Sequence, residues 1–129
     1  KKVKMKKEEN VIGFVELSDA VSKDVLDKVV WTSDDHRDLV LTKKKNIKYI
    51  EKIVTHRDYL KKGIGSAIYR NLFKQLSNYS FYSFVTISPY HNTGSVRFHK
   101  KMNFRIGGTF SASKFAGYKN YKSLLFCID

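Results

Sequence analysis

This chain of 129 residues has one cysteine, one proline and one tryptophan. The single cysteine, Cys127, excludes an intrachain disulfide and suits a reducing cytoplasm. It sits in the apolar run Leu124-Leu125-Phe126-Cys127-Ile128, where a thiol is more often a small buried hydrophobe than a nucleophile. No apolar run reaches the length of a membrane span, and no secretory signal is visible, so no membrane partner is expected. No set of His, Cys and Asp has metal-ligand spacing, which argues against a metal site. Acidic residues are scarce: 12 Asp and Glu face 25 Lys and Arg, for a net charge of +13. That excess admits nucleic acid, anionic membrane surfaces and polyphosphate cofactors as partners. The basic residues are dispersed, at residues 1–7, at Lys43, Lys44 and Lys45, at Lys61 and Lys62, and at Lys100 and Lys101. No recognition helix or aromatic RNA-binding signature accompanies them, so most of these lysines read as a solvated face and nucleic acid is the weaker expectation.

Hydrophobic residues at 42% and aromatics at 14% are enough to build a folded globule, here one domain over residues 1–129. Residues 2–7 alternate Lys with apolar side chains, Glu8-Glu9-Asn10 supplies turn chemistry, and residues 11–17 are apolar again. This predicts a hairpin whose first strand lies at a solvent edge. Residues 18–46 are the least legible. Ser18-Asp19 could cap a short helix carrying Val21, Val25, Leu26 and Val29, residues 31–37 read as a loop, and residues 39–41 as a short strand. Later elements are clearer: a strand over 81–88 ended by Pro89, a loop, a short helix over 95–102, and strands over 104–110 and 123–128. Asn103 stands where a helix often ends in a left-handed residue.

The central stretch is IKYIEKIVTHRDYLKKGIGSAIYRNLFKQL, residues 47–76. Its first part alternates, with Ile47, Tyr49, Ile53 and Thr55 sharing a face with Glu51, and Lys48, Ile50, Lys52 and Val54 on the other. From Ile64 the period becomes helical, with Ile64, Ala67, Ile68, Leu72, Phe73 and Leu76 on one stripe. Between them lies Lys61-Lys62-Gly63-Ile64-Gly65-Ser66. Two glycines before a helix start leave amides free, and amides, helix dipole and lysines all favour an anionic phosphate. Taken alone, an ordinary strand-to-helix turn is the commoner explanation. The Walker and dinucleotide patterns do not fit, because the lysines come first and no third glycine or later acidic residue is in place.

Two segments together carry a family resemblance. Residues 54–67, VTHRDYLKKGIGSA, resemble motif A of the Gcn5-related N-acetyltransferases (GNAT), a strand followed by Arg/Gln-x-x-Gly-x-Gly/Ala and a helix. Residues 92–104, NTGSVRFHKKMNF, resemble the family's motif B, Asn-x-x-Ala/Ser-x-x-Phe/Leu-Tyr/His-x-x-x-Gly-Phe. The resemblance implies an α/β fold, with a mixed, mostly antiparallel central sheet flanked by helices, and an acetyl-CoA-dependent N-acetyltransferase that uses acetyl-CoA as cosubstrate. It implies that the backbone of Val54 and Thr55 runs beside the pantetheine, with one N–H polarising the thioester carbonyl. The amides of Lys61, Lys62, Gly63, Ile64, Gly65 and Ser66 would hold the pyrophosphate, and Asn92, Phe98 and His99 would line the cofactor's lower arm. His99 occupies the position of a Tyr that protonates the departing thiolate; packing beside the cofactor is its equally weighted alternative. Glu51 is the candidate general base, if partial burial raises its pKa, against a carboxylate merely paired with a lysine at the sheet rim. Leu60 departs from the family's Arg or Gln, and Asn103 from its usual glycine. The family's first strand and two helices have no clear counterpart; either they are missing, Lys1 not being Met, or residues 18–46 partly replace them.

The expected reaction is direct acetyl transfer to a primary amine on a small molecule or peptide. Acyl-CoA binding without turnover, a basic nucleic-acid-binding module, and a part of a larger chain or homodimer are the alternatives.

Overall fold

The structure is a computed structural model that describes residues 2–7, 9–41 and 46–129. Lys1, Glu8, Lys43, Lys44 and Lys45 of the expectations above lie outside the described residues. In chain order the elements are β1 (Lys2–Lys7), β2 (Asn10–Ser18), α1 (Lys23–Asp27), β3 (Val29–Trp31), α2 (Asp34–Leu41) and β4 (Ile47–Thr55). A 3-10 turn at Arg57–Tyr59 leads to α3 (Ile64–Gln75), β5 (Ser80–Ser88), α4 (Thr93–Lys101), β6 (Arg105–Phe115) and β7 (Tyr118–Ile128). The strands form one seven-stranded sheet in the order β1-β2-β4-β5-β7-β6-β3. Every neighbouring pair is antiparallel except one. The exception decides the architecture: β4 and β5 run parallel and pair at Ile47 with Ser80, Lys48 with Phe81 and Tyr49 with Tyr82, and nowhere beyond. Past Tyr49 the two strands separate. The sheet is mixed and mostly antiparallel with helices on both faces, as the resemblance implies.

Each face has its own core. Ile68, Tyr69 and Leu72 of α3 and Val96 of α4 bury against Val15, Ile50, Phe81 and Phe126. Burial of each large side chain contributes about 1.5–3 kcal/mol, so α3 is held by its apolar stripe rather than by intrinsic propensity. On the opposite face Leu26 of α1 and Val40 of α2 cover Ile47, Tyr82, Leu125 and Cys127. The two short helices of residues 18–46 therefore cover the second face of the sheet. They were expected as one helix, a loop and a strand. Val29 instead opens β3, which pairs with Phe110, Thr109 and Gly108 of β6 at the far edge, and residues 34–41 are helical. Ser33 anchors that helix start, its Oγ accepting the His36 N–H at 3.3 Å. The last two strands are also longer than expected. They continue as a hairpin to a turn at Ala116 and Gly117, both at positive φ.

A second correction concerns β4. Glu16 pairs with Lys52 and Leu17 with Ile50, so Glu51 has no partner on β2. That extra residue is a β-bulge, and it inverts the strand's alternation. Ile50 joins Ile53 in the α3-side core, whereas Ile47 and Tyr49 face α1 and α2. The regular alternation through residues 47–55 is thus broken at its midpoint.

Candidate functional site

The site forms where β4 leaves the sheet. Its end, Thr55, is followed by His56, whose Nδ1 accepts the Asp58 N–H at 3.1 Å and caps the 3-10 turn. Leu60 is extended, and then Lys61 and Gly63 both take left-handed conformations, at φ +60° and +77°. A non-glycine residue there costs about 1–2 kcal/mol, strain of the kind concentrated at functional loops. Gly63 is the N-cap of α3, so no side chain caps this helix, and no acidic residue lies in its first turn. The first intrahelical bond runs from the Ala67 N–H to the Gly63 carbonyl at 3.0 Å. The amides of Ile64, Gly65 and Ser66 therefore have no intrahelical acceptor at the positive end of the helix dipole.

These amides border a groove of about 660 Å³ that runs between the end of β4 and the two helix starts. Of the residues singled out in the sequence, Thr55, Lys61, Gly63, Ile64, Gly65, Ser66 and Phe98 line it. Tyr59, Leu60, Ser95 and Lys101, which the motifs did not mark as contacts, line it too. Gly65 allows the closest approach: a Cβ there would stand 3.1 Å from Phe98 Cζ. Phe98 in turn stacks on Tyr69, ring centroids 5.2 Å apart, so the groove floor is continuous with the α3-side core.

Val54, Lys62, Asn92, His99 and Glu51 do not line the groove. Val54 pairs with Phe14 and is 39% exposed. Lys62 reaches back over the Tyr59 ring, at 5.6 Å. Asn92 caps α4, its Oδ1 accepting the Ser95 N–H at 3.2 Å. Glu51 is exposed on its bulge, so the burial that was to raise its pKa is not found. It lies beside Glu16. Desolvation pushes the Glu16 carboxyl up, but a hydrogen bond with Glu51 and the ammoniums of Lys52 and Lys2 outweigh it and leave that pKa lowered.

His99 is the largest departure. It is 2% exposed, stacked on Phe126 and edge-on to Phe104. The Ser95 carbonyl, 2.8 Å from Nδ1, can only accept, so the ring proton sits on Nδ1. Nε2 must then accept the Tyr69 O–H at 2.8 Å. Both ring nitrogens are occupied within the core, and neither carries a proton toward the groove. Burial lowers the His99 pKa, only partly opposed by the bond to Ser95. The unfolded chain, with an ordinary His near pH 6.5, then binds the proton more tightly than the native state. This contribution to stability is complete above about pH 6.5 and is lost as pH falls toward the native pKa. The urea midpoint should therefore drop between pH 7.5 and 5.5 by more in the wild type than in His99→Gln. Equal slopes would remove His99 as the source.

Cys127 is 3% exposed, and burial, with Asp129 nearby, pushes its thiol up to about 12, which makes it a poor nucleophile. Among the described residues no group of three His, Cys, Asp or Glu could hold a metal ion, and no helix is long and apolar enough to cross a membrane.

A family model described as the acetyltransferase (GNAT) family matches residues 3–104. No curated protein matches the chain significantly. NAA60 of Arabidopsis thaliana, solved in complex with acetyl-CoA, is similar at 24% identity and a TM-score of 0.66, over 93% of this chain and 66% of that one. It has also been solved with a bisubstrate analogue. The ribosomal-protein-S18-alanine N-acetyltransferase of Escherichia coli has a TM-score of 0.66 at 12% identity, over 98% of this chain and 66% of that one. For smu.2055 of Streptococcus mutans UA159 the values are 0.68 and 18%, over 99% and 68%. The chain thus spans slightly less than two thirds of the plant and Escherichia coli proteins, and identities this low show the fold alone. The family match covers both motifs as far as Phe104, and on it the chain belongs to the GNAT acetyltransferase family.

Proposed function

We propose that the chain is an acetyl-CoA-dependent N-acetyltransferase that passes the acetyl group directly to a primary amine. The observation that carries this is the uncapped start of α3, which opens onto the groove with unpaired amides at Ile64, Gly65 and Ser66 and with lysines on both walls. Such an end suits a pyrophosphate. The pantetheine arm would then lie along β4 where it parts from β5. On that side β4 has no strand partner past Tyr49, and the Thr55 N–H, which alternates with the β2-directed N–H of His56, can polarise the thioester carbonyl. Phe98 packs against the arm, and Asn92 contributes by holding the start of α4.

The acceptor approaches the separated strands from the opposite face, past Tyr49 and Phe84, whose rings lie 6.1 Å apart. Glu51, exposed on its bulge, takes the amine proton directly or through water. The neutral amine attacks the thioester carbon, the tetrahedral intermediate collapses, and the C–S bond breaks. The nitrogen's second proton leaves as the intermediate collapses and passes through water in the groove to the departing CoA thiolate. His99 acts by position, tying Ser95 on the groove wall to Tyr69 in the core. The Escherichia coli neighbour is named for an alanine of a ribosomal protein and the plant neighbour holds a bisubstrate analogue, which supports a peptide or small-molecule amine as acceptor.

Leu60 at the Arg/Gln position and the inward-turned His99 favour a second reading, acyl-CoA binding without turnover. Calorimetric titration with acetyl-CoA, followed by thiol release across a panel of amines and N-terminal peptides, separates the two. Saturable one-to-one binding with amine-dependent thiol release is the expected result. Binding without release would leave the second reading, and no binding by folded protein would sink both.

A further inference from the structure

Resting on that cofactor reading, we propose that Lys7 and Lys62 form a phosphomonoester site at the groove mouth that takes the 3′-phosphate of CoA. The β1–β2 hairpin and the β4–α3 loop meet here. Gly13 pairs with Thr55, and the His56 N–H donates to the Ile12 carbonyl at 2.7 Å, so the end of β1 lies beside the 3-10 turn. Lys7 Nζ stands 5.6 Å from the centroid of the Tyr59 ring, and Lys62 Nζ stands 5.6 Å from the same centroid. Tyr59 itself lines the groove. Two ammoniums separated by 55 positions in the chain thus converge on one aromatic wall of the candidate cofactor site.

Nothing among the described residues neutralises them. Neither lysine has an ion pair there, and the adjacent Asp58 carboxylate turns to His56, at 3.7 Å. An exposed cation–π contact is worth only about 0.5–1 kcal/mol, little return for holding two like charges on one ring. A dianion between them reverses the balance. The pyrophosphate uses the loop amides, so the remaining phosphate of CoA, on the adjoining ribose, needs cations of its own. Lys7 and Lys62 are brought together at the groove by the Tyr59 ring that both ammoniums contact.

The test is calorimetric titration with CoA and with 3′-dephospho-CoA, two ligands that differ only in this phosphate. Wild-type protein should prefer CoA by about tenfold or more, in line with charge-assisted contacts. In Lys7→Ala/Lys62→Ala the preference should shrink to about twofold, by loss of affinity for CoA and not for dephospho-CoA. Lys23→Ala, which removes one charge on α1, should keep the wild-type ratio. A preference that survives in the double variant, or that collapses in Lys101→Ala instead, overturns the proposal. So does equal affinity for both ligands in the wild type, which leaves the cofactor reading standing. Failure of the wild type to bind either ligand overturns both.

Discussion

Gly63→Asp should reduce affinity for acetyl-CoA by about a hundredfold or more while leaving the fold close to its wild-type stability. A Cβ at Gly63 meets nothing within 4 Å, so the substitution creates no clash. At φ +77° it carries about 1–2 kcal/mol of backbone strain. The new carboxylate, at the positive end of the helix dipole, offsets part of this. It also removes the site: the side chain crowds the amides that would hold the pyrophosphate and adds a negative charge where phosphates approach. Gly63→Asn separates bulk from charge, since it is neutral and tolerates the left-handed region. It should lose less affinity than Asp. Titration calorimetry and a thermal melt on each variant decide it; unchanged affinity in Gly63→Asp would take the loop out of the site.

Gly13→Val should lower stability by about 3 kcal/mol or more, seen as a fall in Tm of roughly 10 °C or more. Gly13 is the point at which β2 passes directly under α3. A Cβ there would stand 2.8 Å from Ile68 Cδ1, 2.9 Å from the Val54 carbonyl oxygen and 3.1 Å from Ile64 Cγ2. Ile68 is 2% exposed and has little room to move, and the carbonyl belongs to the sheet ladder. The helix would have to lift, and with it the loop that feeds the groove. Gly94, on the far wall, has open space around its Cβ position, so Gly94→Ala should leave Tm nearly unchanged. A shift for Gly13→Val below about 1 kcal/mol would show that α3 can move at little cost, contrary to the packing seen.

The sequence was most informative where local chemistry dictates local form. The glycine-bracketed loop, the apolar stripe of α3 and the left-handed Asn103, at φ +70°, could all be read from residue type and spacing. The second layer of helices could not. Residues 34–41 hold three acids and an arginine over a narrow apolar stripe, and what makes them helical is the cover they give to Ile47, Tyr82 and Leu125 from distant strands. The three-residue β3 depends on β6, whose pairing residues lie at Gly108 to Phe110. At the site, the motif points to His99 as an acid because it follows Phe98 where Tyr often stands. Whether a helix residue faces a groove or a core depends on what packs behind it, and Tyr69, Phe104 and Phe126 surround His99. Tyr59 and Lys7 carried no motif signal, and only the meeting of hairpin and loop brings them together.

The brief pairing of β4 with β5 also has a mechanical consequence. Strands β1, β2 and β4 form one leaf and β5, β7, β6 and β3 another, and the ladder between the leaves is three residues long. α3, which packs on β1, β2 and β4 and buries side chains against Phe81 and Phe126, is the main clasp across that seam. A ligand lying in the groove touches β4, the α3 start and the α4 start at once, so it adds a second clasp where the ladder is missing. At a hundredfold excess over its dissociation constant such a ligand adds about 2.7 kcal/mol to global stability. The seam is therefore where resistance to opening should rise most when such a ligand binds.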